Sequence, residues 1–354
     1  PGTPSSEIIE NLAAVSEQRK IYVEWSINEK VAMEVAAAAS FAGLRSLCVM
    51  KQNGVNVASD FLLHLAITGI RGGMVIVPCD DPGALSSANE GESRHFARLM
   101  EIPLLEPGNF QEAKDIIKWA FALSEEIGNV VMVRSVTRLS HASGNVIMGP
   151  LPEIERKAQF SCHGGFMDPD HGPVVSLPVS VRHQMQQQKL KKVLPHFENS
   201  DFNTYSGPTE PEVLIVTSSA CSLYSKEAIH MLDVKDRVGL LKLGTTWPLP
   251  VDLVQKHVAC CQQVLIVEEV IPFLEENLKI IAADFRPEVR AITFHGKIDG
   301  TVPGVGELNP DIVAAALASV MGIKIQAADS NYVARAGDIA ANNAPDRELT
   351  FCPG

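Results

Sequence analysis

The chain has 354 residues, 46% hydrophobic and 20% charged, as expected of a globular protein long enough to build two or three cores. Its formal net charge of -12, with no basic stripe to offset it, argues against nonspecific nucleic-acid binding. No apolar run reaches transmembrane length and the first residues are not a signal peptide, so no membrane role is expected. The seven cysteines are irregularly spaced and lie mostly in apolar runs, which fits reduced thiols in a cytoplasm rather than a disulfide scaffold. A start at Pro1 and an end at Cys-Pro-Gly suggest a fragment.

Residues 1–150 read as repeated strand–helix units. Thr3-Pro4 is a favoured helix opening, and Ile8, Leu12 and Val15 follow at helical spacing. Ile21, Tyr22, Val23 and Trp25 form a β-rich run. It leads to Glu29, which opens a helix with small residues on one side: Ala32, Ala36, Ala39, Ser40 and Gly43. Small side chains at this spacing let a neighbour approach closely. A first-turn carboxylate suits the helix dipole. Followed by Val31, Ala32 and Met33, Glu29 is expected to be half buried, with the raised pKa of a carboxyl short of partners. A strand is predicted over 47–50, ending in a turn, Gln52-Asn53-Gly54-Val55-Asn56. Next come a helix over 59–69, a strand over 74–79 and a polar, Gly-rich loop over 80–94. An amphipathic helix over 110–127 and a strand over 130–134 complete this part. Such alternation implies a mostly parallel sheet covered on both faces. Its ligand would lie beyond the strands' carboxyl ends, against 52–56 and 80–94.

Residues 151–211 break the pattern and read as a connecting arm with one helix near 181–193. Cys162, His163 and His171 invite a metal reading, but their spacing matches no zinc signature, and ordinary loop residues are the simpler account. Alternation resumes over 212–322, with strands at 213–217, 238–243, 264–267 and 289–294. Cys260 and Cys261 precede one of these and read as packing. Asn309-Pro310-Asp311 is a strong helix start. The glycine-rich run 300–306 lacks the Lys-Ser/Thr of a phosphate loop and reads as a turn. From 323 to 354 the sequence is polar and irregular, as in a linker.

VEWSINEKVAMEVAAAASFAG around Glu29, the opening Pro1-Gly2-Thr3-Pro4-Ser5-Ser6, GLLKLGTTWPLP, HGKIDGTVPGVGELNPDIVAAAL and the final FCPG together carry a family likeness. They resemble the thiamine diphosphate-dependent 2-oxoacid:ferredoxin oxidoreductases, most nearly the α subunits that act on indolepyruvate, over nearly the whole chain. The resemblance implies an α/β fold: a parallel-sheet, pyrimidine-type thiamine diphosphate domain over 1–150, followed by a transketolase C-terminal-like domain over 212–322. The arm 151–211 would join them, and 323–354 would lead to a missing diphosphate-binding domain. Implied cofactors are thiamine diphosphate with Mg²⁺, and [4Fe-4S] clusters; the diphosphate half of the site and the clusters would lie outside this chain. By the same likeness Glu29 would be the catalytic carboxyl against the pyrimidine N1′. Gln52, Gly54 and Asn56 would bind the cofactor, and Thr3 would lie near the substrate carboxylate. The implied reaction is oxidative decarboxylation of an arylpyruvate to acyl-CoA, with electrons passing to ferredoxin. Implied partners are a smaller β subunit, ferredoxin and coenzyme A, in a hetero-oligomer with a homodimeric core. The Ala-rich face after Glu29 would meet the partner domain; the duller alternative is that these small residues pack on this domain's own sheet.

The sequence also departs from the family pattern. No Gly-Asp-Gly and no C-x₂-C-x₂-C-x₃-C run occurs, and Cys352 is either half of a cluster-ligating pair or a stray thiol. Asp80-Asp81-Pro82-Gly83 replaces a loop arginine of 2-oxoacid relatives, which leaves the carboxylate partner unassigned. Gln52 and Leu85 replace two family histidines. A diverged, non-catalytic paralogue acting as an interaction module, or a related enzyme with another substrate, therefore stays open. A nicotinamide dehydrogenase is disfavoured, since no G-x-G-x-x-G follows a strand.

Overall fold

Two apolar runs buried on both faces set the centre of the first sheet. The structure, a computed structural model, describes residues 2–150, 156–283, 291–325 and 330–343. The chain begins α1 (Ser6–Arg19), α2 (Glu29–Phe41), β1 (Ser46–Lys51), α3 (Gln52–Thr68), β2 (Met74–Asp80) and α4 (Arg94–Leu99). β3 (Leu104–Leu105), α5 (Phe110–Ile127), β4 (Val131–Val133), β5 (Ser135–Val136) and α6 (Thr137–Ser140) follow. Then come α7 (Val179–Glu198), β6 (Thr204–Ser206), β7 (Val213–Ser218), α8 (Cys221–Met231), β8 (Val238–Leu243) and β9 (Thr245–Trp247). The last described elements are α9 (Val251–Val258), β10 (Gln263–Val267), α10 (Leu274–Ala283), β11 (Thr293–His295), α11 (Pro310–Met321) and α12 (Ser330–Asn343).

The first sheet has the order β1-β2-β4-β3-β9, with β5 also paired to β2. β1 and β2 run parallel from Ser46↔Met74 to Lys51↔Cys79. Every residue of β2 is buried, the mark of a parallel strand covered on both sides. The second sheet has the order β11-β10-β7-β8-β6 and is parallel except for β6. The edge strand β9 comes from the second half of the chain and pairs antiparallel with β3 of the first sheet. Asparagine caps start three helices: Asn28, Asn109 and Asn309 accept from the amides of Val31, Glu112 and Ile312.

Between the sheets lies a buried ionic layer. Arg94 donates to Glu92 at 2.5 Å and to Glu268 at 2.7 Å, and reaches the carbonyls of Glu269 and Ile271. Arg134 donates to Asp80 at 2.5 Å and to Glu106 at 2.7 Å. Burial works against ionisation of Glu92, yet the Arg94 and Arg134 guanidiniums hold its pKa down at about 2. Burial lifts Asp80 and Glu268 above the usual carboxylate range, opposed chiefly by Arg134 and Arg94 respectively. Burial pushes Glu269 up to about 7, against the amide of Leu308.

Several sequence expectations are corrected. Residues 21–25 form no strand; Ile21, Tyr22 and Trp25 are 44%, 80% and 48% exposed, and among the described residues no strand pairs with them. Gln52–Asn56 is the first part of α3 rather than a turn, so that helix begins seven residues before the predicted position 59. The first helix opens at Ser6, two residues after Pro4. Part of the small-residue side of α2 is covered by its own neighbours: Ala36 packs in one core with Val55, Ala58 and Leu62 of α3, with Ala32 against it, while Ala39 and Gly43 stay partly exposed. Residues 330–343 form a helix where irregular chain is expected. Cys261 is buried as expected, but Cys260 is exposed. Cys352 and the start of the strand predicted over 289–294 lie outside the described residues.

Candidate active site

Glu29 is the first residue of α2, held there by the Asn28 cap, and is half-buried. Its aliphatic stem lies against Gly54 in the first turn of α3. A Cβ at position 54 would overlap Glu29 Cγ and come within 3.1 Å of its Cβ and Cδ. The glycine thus creates the seat for the carboxylate. β1 leads straight into α3, so this seat lies at the carboxyl edge of the first sheet, where ligands of parallel sheets are held.

The rest of the edge is built from the segment after β2. Lys51 Nζ donates to the carbonyl of Ser86, and Gln52 Nε2 donates to Ser87 Oγ at 3.2 Å and to the Asn89 carbonyl at 3.5 Å. Gly91 packs so closely on Gln52 that an added Cβ would lie 2.5 Å from Gln52 Cγ. Asp81, fully buried, accepts from the Ser86 amide, the Ser87 hydroxyl and the Thr137 hydroxyl. Glu90 accepts from the amides of Gly83 and Gly306, tying this loop to the second half of the molecule. Gln52 Oε1 and Asn53 Oδ1 are buried without a partner.

The predicted site residues fall as follows. Glu29 and Gly54 touch, and Gln52 is 2% exposed under the loop. Thr3 is partly buried in a turn closed by Ser5 on the Gly2 carbonyl, ahead of α1. Glu7 of α1 stands 3.2 Å from His141, on the side of the sheet where the chain leaves β2 and β5. Asn56 is exposed on α3 and takes no part in these contacts. Leu85 is 62% exposed on the loop. Sequence reasoning missed Lys51 and the buried arginines; the one local signal for Lys51 was a lysine closing an apolar strand. His163 and His171 approach each other with ring centroids 5.2 Å apart, and His163 Nδ1 lies 2.8 Å from Ser161 Oγ. Among the described residues no group of three or more His, Cys, Asp or Glu could hold a metal ion.

A carboxylate seated by a glycine at a helix start, on the carboxyl edge of a parallel sheet, defines a ligand-binding α/β domain. Residues 1–197 match the family described as pyruvate flavodoxin/ferredoxin oxidoreductase, thiamine diP-binding, and the chain belongs to it. Indolepyruvate oxidoreductase subunit IorA of Pyrococcus abyssi is 40% identical over 326 residues, 92% of this chain and 49% of that protein. The same subunit of Methanothermobacter thermautotrophicus is 37% identical over 356 residues, 100% of this chain and 54% of that protein. The chain therefore spans about half the length of the curated relatives it matches. The 2-oxoglutarate:ferredoxin oxidoreductase from Magnetococcus marinus matches in fold with a TM-score of 0.65 and 16% identity, over 91% of this chain and 61% of that one. A split-gene transketolase matches with a TM-score of 0.55 and 14% identity, over 86% and 85%. The family and the α/β fold class read from the sequence are both borne out.

Proposed function

We propose that this chain forms the pyrimidine-binding half of a thiamine diphosphate site in an enzyme that oxidises aryl 2-oxoacids. Indolepyruvate is the substrate favoured by the names of its relatives, with coenzyme A as acyl acceptor and ferredoxin as electron acceptor. One observation carries the reading: Glu29 is seated by Gly54 at the carboxyl edge of the first sheet. The residues fit the cofactor, since a seat that any Cβ would fill presents a carboxyl, and Gln52 and Asn53, just before that glycine in the chain, carry buried acceptors without a partner.

Bound thiamine diphosphate supplies the carbon nucleophile that decarboxylation of a 2-oxoacid requires. Glu29 would hold a proton at the pyrimidine ring nitrogen, and its half-buried position would keep water from competing for that bond. Gln52 and the loop 82–93 would shape the wall beside it, and Thr3 would offer a hydroxyl to the substrate. Mg²⁺, the diphosphate half of the site and the [4Fe-4S] clusters belong, in this reading, to other parts of the enzyme. The exposed Tyr22, Trp25 and Ile27, at 80%, 48% and 90%, immediately precede Glu29 and suit cover by another domain or by a β subunit in a hetero-oligomer.

Titration of the full-length enzyme with thiamine diphosphate and Mg²⁺ tests the reading, and binding is expected. Silence would favour a non-catalytic interaction module, the outcome compatible with Gln52 and Leu85 in place of histidines. In the same enzyme Glu29→Gln keeps the volume but cannot hold the proton, and turnover is expected to fall about 10²–10⁴-fold with the fold intact. Near wild-type turnover would remove Glu29 from the mechanism.

A further inference from the structure

Lys51 ends β1 and stands at the N-cap of α3, 6% exposed. A buried ammonium has three protons to place, and leaving them unplaced is costly. One goes to the carbonyl of Ser86. The Asp81 carboxylate forms an ion pair with it at 4.0 Å, but that lies beyond hydrogen-bond range, and the Asp81 oxygens already accept from Ser86, Ser87 and Thr137. Two protons of Lys51 thus have no acceptor among the described residues.

Nearby cations are committed elsewhere: Arg134 to Asp80 and Glu106, Arg94 to Glu92 and Glu268, Arg138 to Glu307. Beside Lys51, the first turn of α3 has no side-chain cap. Gln52 leaves Oε1 without a partner although the residue is 2% exposed. Its Nε2 is held by Ser87 Oγ and the Asn89 carbonyl, so Gln52 walls this place and supplies no free donor to it. These features sit two to three residues from Gly54, against which Glu29 packs.

We infer that Lys51, with the uncapped first turn of α3, receives the carboxylate of the 2-oxoacid. The inference rests on the 2-oxoacid reading for the identity of the ligand. A charged donor is needed because a neutral one would not repay removal of that carboxylate from water. Lys51 is here a substrate-binding residue, and the loop it also tethers closes over the same place.

The test uses the full-length enzyme without cofactor, and compares binding of an arylpyruvate with binding of its methyl ester by titration calorimetry. Wild type is expected to prefer the acid by at least about 10-fold, Lys51→Met to lose that preference, and Lys51→Arg to keep most of it. Thiamine diphosphate affinity is expected to be the same in all three. Acid preference that survives in Lys51→Met, or is absent from wild type, overturns the assignment. Joint loss of acid, ester and cofactor binding also overturns it, because that marks a loop tether only. Failure of the functional reading shows separately, as wild type that does not bind thiamine diphosphate.

Discussion

At Gly54 the missing Cβ decides how α3 and the Glu29 side chain share space, and two opposed effects can be weighed there. Alanine in place of glycine favours a helix by roughly 1 kcal/mol. Overpacking a fitted contact costs about 1–3 kcal/mol, and here the contact is with the stem of Glu29 at Cβ, Cγ and Cδ rather than with a free side-chain end. The second effect should win. Gly54→Ala is expected to lower stability slightly and cofactor affinity clearly, by about 10-fold or more, because the carboxyl is displaced from its seat. Thermal melts and cofactor titration together check this; unchanged affinity would show that Glu29 tolerates the shift. The pair was only half legible in the sequence. Glu29 stood out as an acid opening an apolar helix, but nothing local in Gln52-Asn53-Gly54-Val55-Asn56 said that its glycine faces an acid on a different helix.

At the scale of elements, α2 and α3 form one packed pair, which takes up Ala36 and Ala37 of α2. Ala36 is 9% exposed, in the core that holds Val55, Ala58 and Leu62. Ala36→Trp should therefore destabilise the domain by about 1–3 kcal/mol or more, read as a lower midpoint of urea unfolding. A variant as stable as the parent, with altered assembly, would restore the interface reading. Periodicity served well where helices are long and amphipathic: the helix predicted over 110–127 is α5, residue for residue. It failed at Ile21, Tyr22, Val23 and Trp25. β-branched and aromatic residues favour a pleated, half-buried surface, and no strand among the described residues pairs with this segment to supply one. It failed again at 52–56, where Asn and Gly suggest a turn but β1 passes directly into α3.

The molecule as a whole is joined by its ionic layer, and this was not legible at all. Arg94 and Glu268 stand 174 positions apart, and no short motif announces their meeting. The layer makes stability depend on pH in two directions. Glu269, raised to about 7 from 4.5, favours the fold fully below pH 4.5, and that contribution is lost as pH rises through about 7. Glu92, held at about 2, contributes above pH 4.5, and its share is lost as pH falls toward 2. Glu269→Gln keeps an acceptor for the Leu308 amide and removes the charge. It should raise stability near pH 8.5 by up to a few kcal/mol, since each pH unit crossed between 4.5 and 7 takes away about 1.4 kcal/mol, and change little near pH 5. Denaturant unfolding at the two pH values measures it; an equal effect at both would exclude titration of Glu269 as the cause.

The pairing of β3 with β9 has a further consequence, for the order in which the protein comes into being. Leu104 and Leu105 meet Trp247 and Thr245, so a chain emerging from the ribosome carries the first sheet with its last place empty while some 140 more residues are made. During that interval a short apolar edge is open to any other nascent strand, the hazard that native proteins otherwise blunt. β3 is only two residues long, which keeps the exposed edge small until its partner arrives. The first sheet is therefore finished by the second half of the chain.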